Sequence, residues 1–237
     1  MEGSVRLRIV STHMLIIRHG QSTWNAARRW QGQADPPLSM LGERQAFEAA
    51  QRLGTFDAII CSDLQRAALT GQIIADQLAI GPVLGDERLR ETFAGDWQGL
   101  TADEIHRDYP GYLQDHRRPD NFESAEDVVE RVTACLAELA KTFPDGEILV
   151  VSHGGVVRVL TRLNGGEEIS VPNLGGGWFD VEPDGDVRVG DTVDLLAGWN
   201  AEASSNRLND VDPSNDVAER RSDPENDPDN DPDGERV

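Results

Sequence analysis

Four short segments hold the side chains that can do chemistry. Arg18-His19-Gly20-Gln21-Ser22-Thr23-Trp24-Asn25, Ser62-Asp63-Leu64-Gln65-Arg66, Leu89-Arg90-Glu91 and Ser152-His153-Gly154-Gly155 each follow an apolar run. Together they offer the imidazoles of His19 and His153, the guanidinium groups of Arg18 and Arg66, and the carboxylate of Glu91, with the hydroxyl of Ser22 and the amide of Asn25 close by. That set suits an anion with several oxygens. A guanidinium presents a planar fork of donors that matches phosphate, and an imidazole can act as nucleophile or as cationic donor. The glycines after each histidine let the backbone come close, and their N–H groups are expected to face the same anion.

Ligands of open α/β sheets bind beyond the carboxyl ends of the strands, so the elements preceding these segments must position them. Met14-Leu15-Ile16-Ile17 is a continuous apolar run, as a strand buried on both faces requires. Phe56 to Cys61 reads as a second strand, Val83-Leu84 as a short apolar run and Glu147 to Ser152 as another buried strand. Ser39 is expected to cap a helix running to Leu53 with Gly54 as its stop, and Asp63 to cap one through Ile73, Ile74 and Leu78. Thr101-Ala102-Asp103-Glu104 is a capping box, and Ser124 opens a helix with Val128, Val132, Cys135, Leu136 and Leu139 at helical spacing. Gly154 to Leu163 completes the helices; Trp178 to Val181 and Val187 to Val189 flank a Pro183-Asp184-Gly185 turn. This alternation predicts an α/β fold in three layers, a mostly parallel central sheet with helices on both faces.

Composition narrows the partners. The 237 residues carry 22 basic and 43 acidic side chains, a formal net charge of -21. A field of that sign repels phosphodiester backbones and anionic lipid, so no nucleic acid and no membrane is expected as a partner. No apolar run approaches the ~20 residues of a membrane span, and the opening residues lack a secretory pattern. Cys61 and Cys135 have no metal-ligand neighbours at zinc-like spacing, so a cytoplasmic protein without disulfides is the expectation. Residues 201–237 contain 12 acidic and 4 basic side chains, repeated Asp-Pro pairs and almost no large apolar group beyond Leu208. Such a segment cannot offset its ordering entropy by burial and is expected to form a disordered acidic tail. Residues 1–13 read as an N-terminal extension of undefined order, which leaves 14–200 as the folded domain.

In order along the chain, Arg18-His19-Gly20, Trp24-Asn25, Gln31-Gly32, Ser62-Asp63-Leu64-Gln65-Arg66-Ala67, Leu89-Arg90-Glu91 and Ser152-His153-Gly154-Gly155 resemble the histidine phosphatase superfamily, also called phosphoglycerate-mutase-like. The resemblance covers about Met14 to Asn200. The stretch from Leu89 to Thr101, with Gly95-Asp96-Trp97-Gln98-Gly99-Leu100, is similar to glucosyl-3-phosphoglycerate phosphatases and broad-specificity members. It implies a hydrolase of small phosphorylated metabolites that works through a phosphohistidine, with no cofactor and no metal. It implies His19 as the nucleophile and Glu91 as proton donor and acceptor. Arg18, Arg66, His153 and Gly154 would surround the phosphoryl group, with hydrogen bonds from Ser22 and Asn25. Phe93, Trp97 and Phe122 are expected as apolar or stacking walls for the leaving group, whereas Arg28, Arg29, Arg117 and Arg118 read as solvated charges. Many relatives carry Gly-Gly-Glu-Ser where this chain has Asn121-Phe122-Glu123-Ser124, a departure that bears on leaving-group preference. Two rival functions are a phosphoglycerate mutase and a phospho-ligand binding protein without catalysis. Mutases of the family carry a longer insertion than the stretch from Thr92 to Ser152 allows. A monomer or homodimer is expected.

Overall fold

The computed structural model describes residues 10–167 and 169–201. The expected acidic tail after residue 201 and the first nine residues of the expected extension lie outside them. A compact unit ends at Ala197. Its first strand, β1 (Thr12–Arg18), is followed by the short helix α1 (Thr23–Ala26) and by α2 (Met40–Ala50). Then come β2 (Ala58–Ser62), α3 (Gln65–Leu78), β3 (Leu84–Asp86), α4 (Ala102–Asp108) and α5 (Ala125–Thr142). The chain closes with β4 (Glu147–Ser152), α6 (Gly154–Leu163), β5 (Gly175–Val181) and β6 (Val187–Asp194).

The six strands lie in the order β3-β2-β4-β1-β5-β6. The first four are parallel, while β5 runs antiparallel to β1 and β6 antiparallel to β5. Along β1 the side chains alternate between two cores, as a period of two demands. Met14 and Ile16 join Ile148, Val150 and the apolar faces of α5 and α6. Leu15 and Ile17 join Ile59, Cys61, Val151 and residues of α2 and α3. Burial of each such side chain stabilises by about 1.5–3 kcal/mol, so both faces of the sheet hold their helices strongly. The three-layer expectation therefore describes the molecule. Among the described residues no helix is long and apolar enough to cross a membrane.

Several boundaries differ from expectation, each for a physical reason. β1 begins at Thr12, two residues before the apolar run, because Thr12 is buried and donates to the Phe143 carbonyl at 2.7 Å while His13 pairs with Asp180. β5 begins at Gly175, not Trp178. Glycine weakens a strand signal, yet a side chain at Gly176 would collide with the Ile16 carbonyl, so close approach of β1 demands glycine there. α2 is helical to Ala50, and its expected last turn tightens into bonds from Arg52 to Ala49 and from Leu53 to Ala50. Asp63 does not cap α3: its carboxylate pairs with Arg90 (Nε 2.7 Å), and Leu64 is the uncapped N-cap. The Gln65 N–H is satisfied instead by Asp35 Oδ1 at 2.8 Å.

Gly71 tests the packing of α3 on β2. In an open helix interior, glycine to alanine gains about 1 kcal/mol. Here the added methyl would overlap the Cys61 sulfur, so Gly71→Ala should destabilise by about 1–3 kcal/mol. Urea unfolding measures this, and Cys61→Ala in the same chain should recover most of the loss.

Candidate active site

The parallel register sets the site. Arg18 lies opposite Ser152, so the residues that follow β1 and β4, His19 and His153, emerge side by side at one edge of the sheet. Their rings meet edge to face with centroids 5.1 Å apart. β2 ends at the same edge, where the Ser62 hydroxyl lies 2.9 Å from His153 Nε2. Both imidazoles are buried, His19 at 2% and His153 at 0% exposure.

His19 has a defined tautomer. Its Nδ1 lies 2.6 Å from the Gly20 carbonyl, which only accepts, so the proton sits on Nδ1. Nε2 is left with its lone pair, and Arg66 Nε donates to it at 3.2 Å. Burial, then the charges of Arg66 and Arg18, hold the His19 pKa well below the usual histidine value. The Gly20 carbonyl works in the opposite direction without reversing the result. His153 is likewise lowered by burial first and then by Arg66, His19, Arg131 and Arg18. Its Nδ1 is buried and has no hydrogen-bond partner among the described residues, a donor or acceptor still to be satisfied.

Arg66 has no exposed surface. Besides His19 it donates to the carbonyls of Ala34 and Gly32, both at 2.8 Å. Burial lowers its pKa to about 10, with Glu91 and Asp35 opposing, so the guanidinium keeps its charge at neutral pH. Arg18 donates to the Val171 carbonyl at 2.9 Å, and burial lowers its pKa too, opposed by Glu91. The Glu91 carboxylate rests on backbone donors: Thr92 N–H at 2.9 Å and Gly155 N–H at 3.1 Å in the first turn of α6. A cavity of about 880 Å³ opens over this group, lined by Arg18, His19, Arg66, Glu91 and Gly155 among others.

The other expected site residues are placed differently. Ser22 and Asn25 form a capping box on α1, and the Ser22 hydroxyl also donates to Gln31 Oε1 at 2.7 Å. Neither lines the cavity; Gln31 does. Gly154 is buried beneath the cavity wall, where a side chain would press on Arg18 and Arg158. Nor do the glycine N–H groups all stay open for an anion. Gly20 donates to Thr70 Oγ1 at 3.1 Å and Gly155 to Glu91, because buried backbone donors are satisfied within the fold. Of the expected walls, Phe122 lines the cavity but Phe93 and Trp97 do not. Trp97 is fully buried, packed edge to face against Trp30, Tyr109 and Phe122, and it is Trp30 that reaches the surface of the cavity.

Further positions that support or line the candidate site had weaker signals. Arg131 stands three residues after Val128 on the apolar stripe of α5. A charge on such a stripe needs buried acceptors, and it finds them in the Arg88, Arg90 and Glu91 carbonyls and in both oxygens of Glu123. It thereby anchors the segment that carries Glu91. Gln98 Oε1 accepts from the Gln33 and Ala34 N–H groups, which fixes the Gly32–Gln33 peptide with its carbonyl on Arg66. Arg28, Arg29 and Arg118, read as solvated, all line the cavity, as do Arg158 and Arg162 of α6. Arg29 is held by the Gly99 carbonyl and Glu104, and Arg118 lies over Trp30, Trp97 and Phe122.

Comparison with known proteins agrees with this geometry. The profile of the "Histidine phosphatase superfamily (branch 1)" matches residues 14–174. The phosphatase PhoE of Bacillus subtilis (strain 168) is 33% identical over 159 residues, 66% of this chain and 79% of the relative. A glucosyl-3-phosphoglycerate phosphatase of Mycolicibacterium vanbaalenii is 36% identical over 216 residues, covering 80% of this chain and 95% of that protein. Among solved structures, mycobacterial glucosyl-3-phosphoglycerate phosphatase in complex with VO3 superposes with a TM-score of 0.66 at 32% identity. That match spans 76% of this chain and 97% of the other.

The two lowered histidines make stability depend on pH. Unfolded, each takes up a proton near pH 6.5, while in the fold both stay neutral well below that. The unfolded state therefore binds more protons as pH falls below about 6.5, and stability declines by about 1.4 kcal/mol per pH unit for each histidine until its folded pKa is reached. Urea unfolding of the wild type and of His153→Gln between neutral and mildly acidic pH checks this. The variant's slope should be shallower by about one proton, and an unchanged slope would mean that His153 is charged in the fold.

Proposed function

The chain belongs to the histidine phosphatase superfamily, and from that membership we propose that it hydrolyses small phosphomonoesters through a phosphohistidine formed on His19. The observation that carries this reading is the locked tautomer of His19. Its Nδ1 proton is held by the Gly20 carbonyl, and its unprotonated Nε2, which accepts from Arg66 Nε, belongs to a ring that lines the cavity with Arg18 and Arg66. A buried imidazole kept neutral beside two permanent cations is ready to attack an anion without first losing a proton.

In the proposed reaction, His19 Nε2 bonds to phosphorus as the ester P–O bond breaks. The leaving alkoxide takes the proton of Glu91 in its acid form. Water then attacks the phosphorus of phosphohistidine and gives a proton to the Glu91 carboxylate. The P–N bond breaks, phosphate leaves, and neutral His19 is restored. Arg18, Arg66 and the unsatisfied Nδ1 of His153 would stabilise the equatorial oxygens, since phosphoryl transfer depends mainly on positioning and charge. Ser22 and Asn25 would act through the loop that presents Gln31. We read no metal or cofactor into this scheme, because the arginines supply the positive charge. The names of the relatives support small phosphorylated metabolites as substrates and glucosyl-3-phosphoglycerate as one to try first.

His19→Ala should lower turnover to below about one thousandth, and acid-labile phosphoryl labelling of the chain should disappear. A variant that keeps most of its rate would overturn the covalent route. Product analysis with 3-phosphoglycerate should give glycerate and phosphate; isomerisation faster than hydrolysis would favour a mutase. Activity should persist in EDTA. Gly155→Ala separates Glu91 from the fold: the new methyl would overlap Glu91 Oε1 and lie 3.2 Å from Thr92 Oγ1, both side-chain atoms. Its kcat should drop by on the order of 10²-fold or more, while the melting temperature stays close to that of the wild type.

A further inference from the structure

Seven arginines line the cavity, and the guanidinium groups of three of them, Arg28, Arg158 and Arg162, have no hydrogen bond or ion pair among the described residues. In a chain of net charge -21 such cations are conspicuous, because carboxylates are abundant. Arg158 and Arg162 are one turn apart on α6, on the same face, and both line the cavity. Helical side chains lean toward the N-terminus of their helix. Arg158 accordingly reaches back over the first turn, where a side chain at Gly154 would lie 3.2 Å from its Nη1 and 3.3 Å from Arg18 Cδ. Arg18 and Arg158 are thus neighbouring like charges, close enough that Arg158 helps to lower the Arg18 pKa, after burial. An anion between them would relieve the repulsion. Arg162, about 6 Å further along the helix, continues the row away from His19.

We propose that Arg158 and Arg162 form a second anion subsite, which selects phosphomonoesters carrying another negative group a few bonds from the ester oxygen. The proposal rests on the phosphatase reading above and specifies the class of its substrate. A phosphoryl group between Arg18, Arg66 and His19 leaves the outer part of the row free for a carboxylate or a second phosphate. The guanidinium fork suits either, since both present paired oxygens. Val159 and Ile169 on the same wall add apolar surface beside this row for the spacer atoms. Arg29 and Arg118 cannot serve in the same way, being held by Glu104 and by the aromatic rings.

The test compares two esters that differ at one end only. 3-Phosphoglycerate carries a carboxylate where glycerol 3-phosphate has a hydroxymethyl group. Wild type should show kcat/KM at least about tenfold higher for the former, and Arg162→Gln should reduce that ratio to about one, mainly by raising KM. An Arg162→Lys variant, which keeps the charge without the fork, should retain part of the preference. A ratio near one in the wild type, or one unchanged in both Arg162→Gln and Arg158→Gln, overturns the subsite. Calorimetric binding of both esters to His19→Ala separates this from failure of the hydrolytic reading. If neither ester is hydrolysed by the wild type yet 3-phosphoglycerate binds about tenfold tighter, the subsite stands and hydrolysis falls. Equal affinities alongside normal hydrolysis remove the subsite alone.

Discussion

A single buried charge organises this molecule. The Arg66 guanidinium is fully enclosed, and its partners are two carbonyl oxygens and an imidazole nitrogen, with no carboxylate in ion-pair distance among the described residues. Removing an ion from water costs several kcal/mol after relaxation, and neutral acceptors offset only part of that. The rest is available to whatever anion enters. The same charge disfavours protonation of both neighbouring histidines, so anion affinity and imidazole neutrality have one origin. Arginine is suited to this place because even at a pKa of about 10 it stays charged at neutral pH, whereas a buried lysine readily loses its proton.

Holding Arg66 has consequences outward through the fold. The Gly32 and Ala34 carbonyls must point inward; Gly32 permits its turn with a φ of +52°, and Gln98 fixes the Gly32–Gln33 peptide by accepting the Gln33 N–H. That loop also supplies Asp35, which satisfies the start of α3, the helix that carries Arg66. Loop and helix therefore support each other. On the other side Arg131 gathers the carbonyls of residues 88, 90 and 91, and the first turn of α6 receives the Glu91 carboxylate. The candidate site residues converge because strands, loop and two arginines fix them from separate directions.

How much of this was legible depended on the kind of interaction. Strand ends were legible, since continuous apolar runs and the carboxyl-end rule brought Arg18, His19, Arg66, Glu91 and His153 together without any knowledge of contacts. Local caps were legible as well: Thr101 with Glu104, Ser39 and Ser124 all act as the spacing requires. Partnerships across the chain were not. Asp63 looks like a cap until Arg90, 27 residues away, takes its carboxylate. The N–H groups of Gly20 and Gly155 look available until Thr70 and Glu91 claim them. Ser22 and Asn25 belong to the motif by position, yet their side chains bind each other and Gln31. Arg158 and Arg162 were indistinguishable from the solvated face of a helix, because only the fold shows which way that face looks.

The net charge of -21 and the arginine-lined cavity are compatible because they act over different distances. At physiological salt the field of exposed charges fades within about 8 Å, whereas recessed charges are screened much less. A long polyanion must keep many of its charges near the acidic surface when one of them enters the cavity, and repulsion grows with each. A small anion bears no such burden: once inside, it has seven arginines around it against three carboxylates. Two of those acids are already engaged, Glu91 by backbone donors and Glu123 by Arg131, which leaves Glu126. Selection by size then follows from the reach of the two fields, without any steric gate. The more acidic the exterior, the sharper that selection becomes, so an excess of carboxylates around an arginine-lined recess serves anion recognition and does not oppose it.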